Sequence, residues 1–127
     1  MNKKYIAYQG PRFTIEWYFT AQGKSQAFEY FQAMHDDSQD DVINLFALMA
    51  EMGEIRNKTK FRSEGDGLYA FKSKIHRFLS FFFVGKKIIV TNAFEKKQDK
   101  LSPSEKSRSL RYKFDYEIRV KQGVYYA

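Results

Sequence analysis

The stretch that most constrains this chain is residues 78–84, Phe78-Leu79-Ser80-Phe81-Phe82-Phe83-Val84. It is too short to span a bilayer and does not alternate apolar with polar, so it predicts a strand covered on both faces, in the middle of its sheet. Around it the same signals repeat. Residues 68–75 mix aromatics with lysines, Gly85-Lys86 makes a turn, and residues 87–94 form a β-branched run. Short runs rich in Ile, Val, Thr and Phe, broken by glycine, predict an antiparallel meander.

The elements before and after the meander follow from period and punctuation. Phe13, Ile15, Trp17 and Phe19 alternate with polar neighbours, which predicts a half-buried strand. Ala27, Phe28, Phe31 and Met34 fall at helical spacing and predict a helix ending near His35. A second helix opens on Asp36, Asp37, Asp40 and Asp41, carries the stripe Val42, Leu45, Phe46, Met49 and Met52, and stops at Gly53. Ser102-Pro103-Ser104-Glu105 reads as a capping box opening a last helix with the stripe Leu110, Phe114 and Ile118. Residues 1–12 are expected to be a loose arm or short edge segment, 55–66 a polar loop or short strand, and 120–127 a tail. The expected fold is one α+β domain over 1–127, ordered β-α-α-β-β-β-α, an antiparallel sheet packed against a helical hairpin.

Charge then narrows the function. The net charge is +7, but residues 1–55 carry 4 Lys/Arg against 8 Asp/Glu while residues 56–113 carry 16 against 5. The basic half coincides with the meander, an arrangement suited to a polyphosphate partner. The chain has no cysteine, so a disulfide framework and thiolate metal sites are excluded, and a cytoplasmic location is expected. No apolar run reaches membrane-spanning length, so no membrane partner is expected. His35 and His76 fall on different elements without further ligands nearby, and no glycine-rich phosphate loop is present, so neither metal nor cofactor is expected.

What remains is a set of cations on adjoining strands: Lys60, Arg62, Lys72, Lys74, Arg77, Lys96 and Lys97, with the aromatics Tyr69 and Phe94. Such a cluster repels itself unless an anion is to be held there, and aromatics among the cations would stack on the bases of a single strand. It could cleave RNA by letting the 2′-OH attack its own phosphate while guanidinium and ammonium groups stabilise the phosphoryl oxygens. Arg77 is the choice for that stabilisation because its fork can hold two oxygens from a rigid strand. A lysine with a depressed pKa could act as general base or acid.

These residues carry a family resemblance. Leu68-Tyr69-Ala70-Phe71-Lys72, His76-Arg77, and Phe94-Glu95-Lys96-Lys97 followed by Pro103 are similar, in order and spacing, to three segments of the RelE/ParE superfamily of type II toxins, in its phage-derived HigB-like branch. The resemblance extends over residues 13 to 119. It implies a small RelE-like domain and a metal-independent endoribonuclease that cuts mRNA on the ribosome. It also implies a cognate helix-turn-helix antitoxin of HigA type. Carried over by position, the resemblance covers Lys72, Arg77, Phe94, Lys96 and Lys97. Catalysis is expected of Arg77, Lys97, Lys72 and Lys96; from the cation-aromatic cluster, RNA contact is expected of Lys60, Arg62, Tyr69, Lys74 and Phe94. Three positions depart from the pattern: Lys72 stands for arginine, Ala70 for glutamate, and Asn92 for the histidine of many members. A gyrase-poisoning toxin of ParE type, or a phage-derived protein that binds RNA or antitoxin with weak catalysis, are the alternative readings.

Overall fold

The computed structural model describes residues 3–127. A 3-10 turn, Lys3–Tyr5, leads into β1 (Ile6–Gln9), β2 (Thr14–Trp17), α1 (Gln26–Gln32) and α2 (Asp36–Met52). There follow β3 (Phe61–Gly65), β4 (Leu68–Ser73), β5 (His76–Phe83), β6 (Lys87–Glu95) and α3 (Pro103–Lys121). Among the described residues the strands form one six-stranded sheet in the order β1-β2-β6-β5-β4-β3. The fold is α+β. The sheet is mixed rather than antiparallel, because β2 runs parallel to β6 while every other neighbouring pair is antiparallel. A parallel pair cannot be closed by a hairpin. The chain therefore makes the long excursion through α1, α2 and the meander before β6 returns to β2.

β5 lies between β6 and β4 and is covered on both sides, as its apolar run predicts. Phe78 packs against Trp17 and Phe46 on the side of α1 and α2, while Phe81 and Phe83 meet Tyr116 of α3 on the other. α1 lies over β6 and α2 over β1, β2 and β4, so the two helices divide one face instead of forming a close hairpin. Gly53 ends α2 in the left-handed conformation (φ 85°), its N–H donating to Met49 O at 2.9 Å.

Four expectations are corrected. The arm over 1–12 is not loose where it is described; residues 1 and 2 lie outside the described residues. β1 pairs with β2, and Arg12 N and Phe13 N both donate to Ala50 O, at 2.8 and 3.1 Å. Of the two alternatives for 55–66 the strand is the one formed, Phe61–Gly65, and with β1 it makes six strands where the expected order held four. The stripe assigned to α3 is only partly inward: Leu110 packs against the core, but Phe114 is 65% and Ile118 37% exposed, whereas Ser109 and Tyr116 are buried and Tyr112 stacks on Tyr18. The inward face of α3 is largely polar and aromatic, so apolar residues at helical spacing do not trace it.

The fourth correction is the tail. Tyr125 is buried; its carbonyl accepts from Tyr5 Oη at 3.0 Å and its own hydroxyl accepts from Phe19 N at 2.9 Å. Tyr126 donates to the buried Glu16 at 2.6 Å, and Lys87 lies 3.6 Å from the same carboxylate. Burial first, and Glu16 second, push the Tyr126 hydroxyl well above the ordinary tyrosine range. The C-terminus is thereby fastened across β2.

Candidate nucleic-acid interface

α3 covers one end of its face of the sheet and leaves the other end open. The register across that open end sets Lys72 opposite Arg77 and Arg77 opposite Phe94. The next row inward is Arg62, Ala70, Leu79 and Asn92. Paired residues on adjacent strands share a face. The row of charged and aromatic side chains thus stands directly beside a floor made of the buried Ala70 and Leu79. The segment after β6 rises along the far side and contributes Lys96, Gln98, Asp99 and Lys100. Together these close a cavity of about 220 Å³.

Arg77 is held in place from behind. Its Nη1 donates to Lys74 O at 2.7 Å and to His76 O at 3.0 Å. Lys74 sits in the β4–β5 turn with φ 54°, a left-handed conformation that residues other than glycine seldom adopt. With Nη1 engaged, Nε and Nη2 remain to meet an anion. Burial lowers the Arg77 pKa, Glu64 opposes that, and Arg62 adds to it. Lys72 Nζ reaches Lys58 O at 3.4 Å. Its pKa is lowered, mainly by burial and then by the charges of Arg62 and Arg77. The backbone N–H of Lys96 donates to Ile75 O at 2.6 Å, fixing the segment after β6 against the β4–β5 turn, and Lys96 Nζ lies 3.3 Å from Asp99.

The structure brings Arg62, Lys72, Arg77, Phe94 and Lys96 into one cavity and leaves four candidates outside it. Lys97 lies in an adjoining hollow with Lys96, Lys100 and Glu105, its ammonium 80% exposed and 3.3 Å from Glu95. Lys60 and Lys74 line a separate groove against α2, where Lys74 pairs with Asp41 at 3.3 Å. Tyr69 is on the opposite face, stacked on Phe61 at 5.4 Å and edge-on to Phe82. Its place follows from strand alternation, which sets Tyr69 and Phe71 on one face and Ala70 and Lys72 on the other.

His76 also faces away from the cavity, as alternation predicts, and accepts or donates a 2.6 Å bond between Nδ1 and Tyr30 Oη. Burial, then Glu95, raises the Tyr30 pKa to about 12. His35 and His76 line the same hollow despite their different elements.

Four polar cavity residues escaped the sequence reading. Glu64 alternates with Arg62 on β3, a period-2 signal that was legible; Gln98, Asp99 and Lys100 lie in a segment without periodicity. Asn92 has a structural task. Its Nδ2 donates to Glu105 O at 3.2 Å and to Glu105 Oε1 at 3.0 Å. The Ser102 hydroxyl meets Ser104 at 2.8 Å and makes no cap bond, so the expected capping box is replaced by this latch from β6. Next to it, Thr91 bonds Ser109 at 2.6 Å. A bulge in the β5–β6 register between Leu79 and Ser80 turns both adjacent residues, Thr91 and Asn92, toward α3.

A mixed sheet carrying a cationic, aromatic-edged cavity on one end defines a small basic α+β protein. Among protein-family models, the one described as "Phage derived protein Gp49-like (DUF891)" matches residues 29–113. The chain belongs to this family, which is part of the RelE/HigB-like toxin superfamily and is associated with the toxins of toxin–antitoxin systems. No curated protein sequence matches it. No helix among the described residues is long and apolar enough to cross a membrane.

Proposed function

We propose that this protein is the toxin of a type II toxin–antitoxin pair, of the HigB-like branch and RelE-like fold, and that it cleaves mRNA on the ribosome. The observation that carries the proposal is the row Lys72, Arg77 and Phe94 on three consecutive strands, with Arg62 and Lys96 closing the same cavity. Arg77 and Arg62 hold the scissile phosphate, and Phe94 stacks on a neighbouring base, an interaction worth about 1–3 kcal/mol. The attacking group is the RNA's own 2′-OH, so the reaction needs no activated water. As the 2′-oxygen bonds to phosphorus, charge grows on the phosphoryl oxygens opposite Arg77 and Lys96. The 5′-oxygen leaves with a proton from the Lys72 ammonium, which its surroundings make a stronger acid than an ordinary lysine. The products are a 2′,3′-cyclic phosphate and a 5′-hydroxyl.

The basic block over residues 56–113 suits ribosomal RNA as well as the message, because phosphate contacts position a protein without reading sequence. A cognate helix-turn-helix antitoxin would be the silencing partner. The test is pulse expression in bacteria with mapping of transcript ends. Cuts in translated messages that vanish with Arg77→Ala support the proposal. DNA breaks with intact messages would favour gyrase poisoning, and RNA binding without cuts would leave only a binding protein.

A further inference from the structure

The reaction proposed above requires a group to take the 2′-hydroxyl proton, and this inference rests on that reading. The cavity holds two carboxylates. Asp99 is fully solvent-exposed at its side chain and pairs with Lys96, so it is spent at the rim. Glu64 is different: its side chain is only 13% exposed, and it faces the cavity from β3. The β3–β4 register slips between Ser63 and Gly65, which makes Glu64 the extra residue of a β-bulge. Bulges re-aim side chains beside active sites. The turn that follows fixes this aim, with Gly65, Asp66 and Gly67 all at positive φ and Asp66 held by Lys106 at 2.9 Å.

The surroundings of Glu64 favour chemistry over simple charge balance. Its pairing with Arg62 is loose, with Arg62 Nη2 3.5 Å from Oε2. Ala70, on the strand beside it, is small and buried and forms part of the floor of the same cavity. Lys72 and Arg77 both feel its charge. A carboxylate that served only to neutralise these cations would weaken the anion site that they build.

We propose that Glu64 is the catalytic base that accepts the 2′-hydroxyl proton. The 2′-O–H bond breaks toward the Glu64 carboxylate as the 2′-O–P bond forms. The P–O5′ bond breaks, and the 5′-oxygen takes its proton from Lys72. Proton exchange with water then returns Glu64 to carboxylate and Lys72 to ammonium.

The test compares Glu64→Gln with the parent protein in single-turnover cleavage of a message on translating ribosomes, alongside binding of a 2′-O-methyl RNA strand that cannot react. The expected result is a loss of cleavage of about 10²–10⁴-fold. Binding of the 2′-O-methyl strand should be equal or tighter, since one negative charge is gone. Glu64→Asp, which keeps the carboxylate, should recover part of the rate. Unchanged cleavage overturns the assignment. So does a loss of cleavage matched by an equal loss of 2′-O-methyl binding, which would mean Glu64 only positions Arg62. If the parent protein cuts nothing, the nuclease reading fails; if Arg77→Ala abolishes cutting and Glu64→Gln does not, only the base assignment fails.

Discussion

Arg77→Ala is the most informative single change, because its effects on chemistry and on the fold separate cleanly. The guanidinium spends Nη1 on the carbonyls of Lys74 and His76 and keeps Nε and Nη2 for the phosphate. Removing a preorganised donor at developing oxyanion charge costs about 10²–10³ in rate, or roughly 2.7–4 kcal/mol. The structural loss is smaller. Each freed carbonyl forfeits a bond worth about 0.5–1.5 kcal/mol net, and water can reach this half-exposed turn. At about 3–6 °C per kcal/mol for a chain of this size, losing both bonds in full would lower the melting midpoint by about 3–18 °C, and hydration of the freed carbonyls holds the fall toward the lower end of that range. Arg77→Lys keeps the charge but cannot hold two carbonyls and two phosphate oxygens at once, so it should lie between the two. The assay is single-turnover cleavage of a reporter message on ribosomes, with thermal denaturation in parallel. A folded Arg77→Ala protein that cuts at the parent rate would refute the assignment of the cavity.

Three further expectations follow. Lys72 must be protonated to donate, and its pKa lies below the ordinary lysine value of 10.5, mainly through burial. Cleavage should therefore decline on the alkaline side before an ordinary lysine would titrate, and a pH–rate profile of Lys72→Arg, which does not titrate there, should lack that decline while running slower throughout. Phe94→Ala should weaken binding of a 2′-O-methyl strand by about tenfold or more through lost stacking, measured by fluorescence anisotropy, with thermal stability little changed. Gly10→Ala should lower stability by about 1–3 kcal/mol in urea denaturation, because the new Cβ would sit 2.6 Å from Ala50 O in backbone that has no room to retreat.

The sequence carried the meander and the double-covered strand plainly, because β5 is apolar on both faces and no other element tolerates that pattern. It also carried the cation row, since Lys72 and Arg77 flank one tight turn. What it hid was set by distance in the chain. The parallel pairing of β2 with β6 joins Ile15 to Ile88 across the whole meander, and no local signal announces it. β1 is four residues long with no alternation strong enough to mark it. The inward face of α3 is built from Ser109, Tyr112 and Tyr116, whose burial depends on hydroxyl partners on β6 and in the C-terminal tail. Tyr69 was grouped with the cations by proximity in sequence, although the pleat sends it to the other face. Lys60, Lys74 and Lys97 are basic neighbours that the register and the turns direct into separate hollows.

The central claim is that the Lys72–Arg77–Phe94 cavity breaks a phosphodiester through the RNA's own hydroxyl. End-group analysis of messages recovered from ribosomes after induction tests it most directly. The expected result is new fragments ending in 2′,3′-cyclic phosphate with 5′-hydroxyl partners, absent when Arg77→Ala is expressed instead. Fragments carrying 5′-phosphates, or messages left whole by a folded protein, would contradict it.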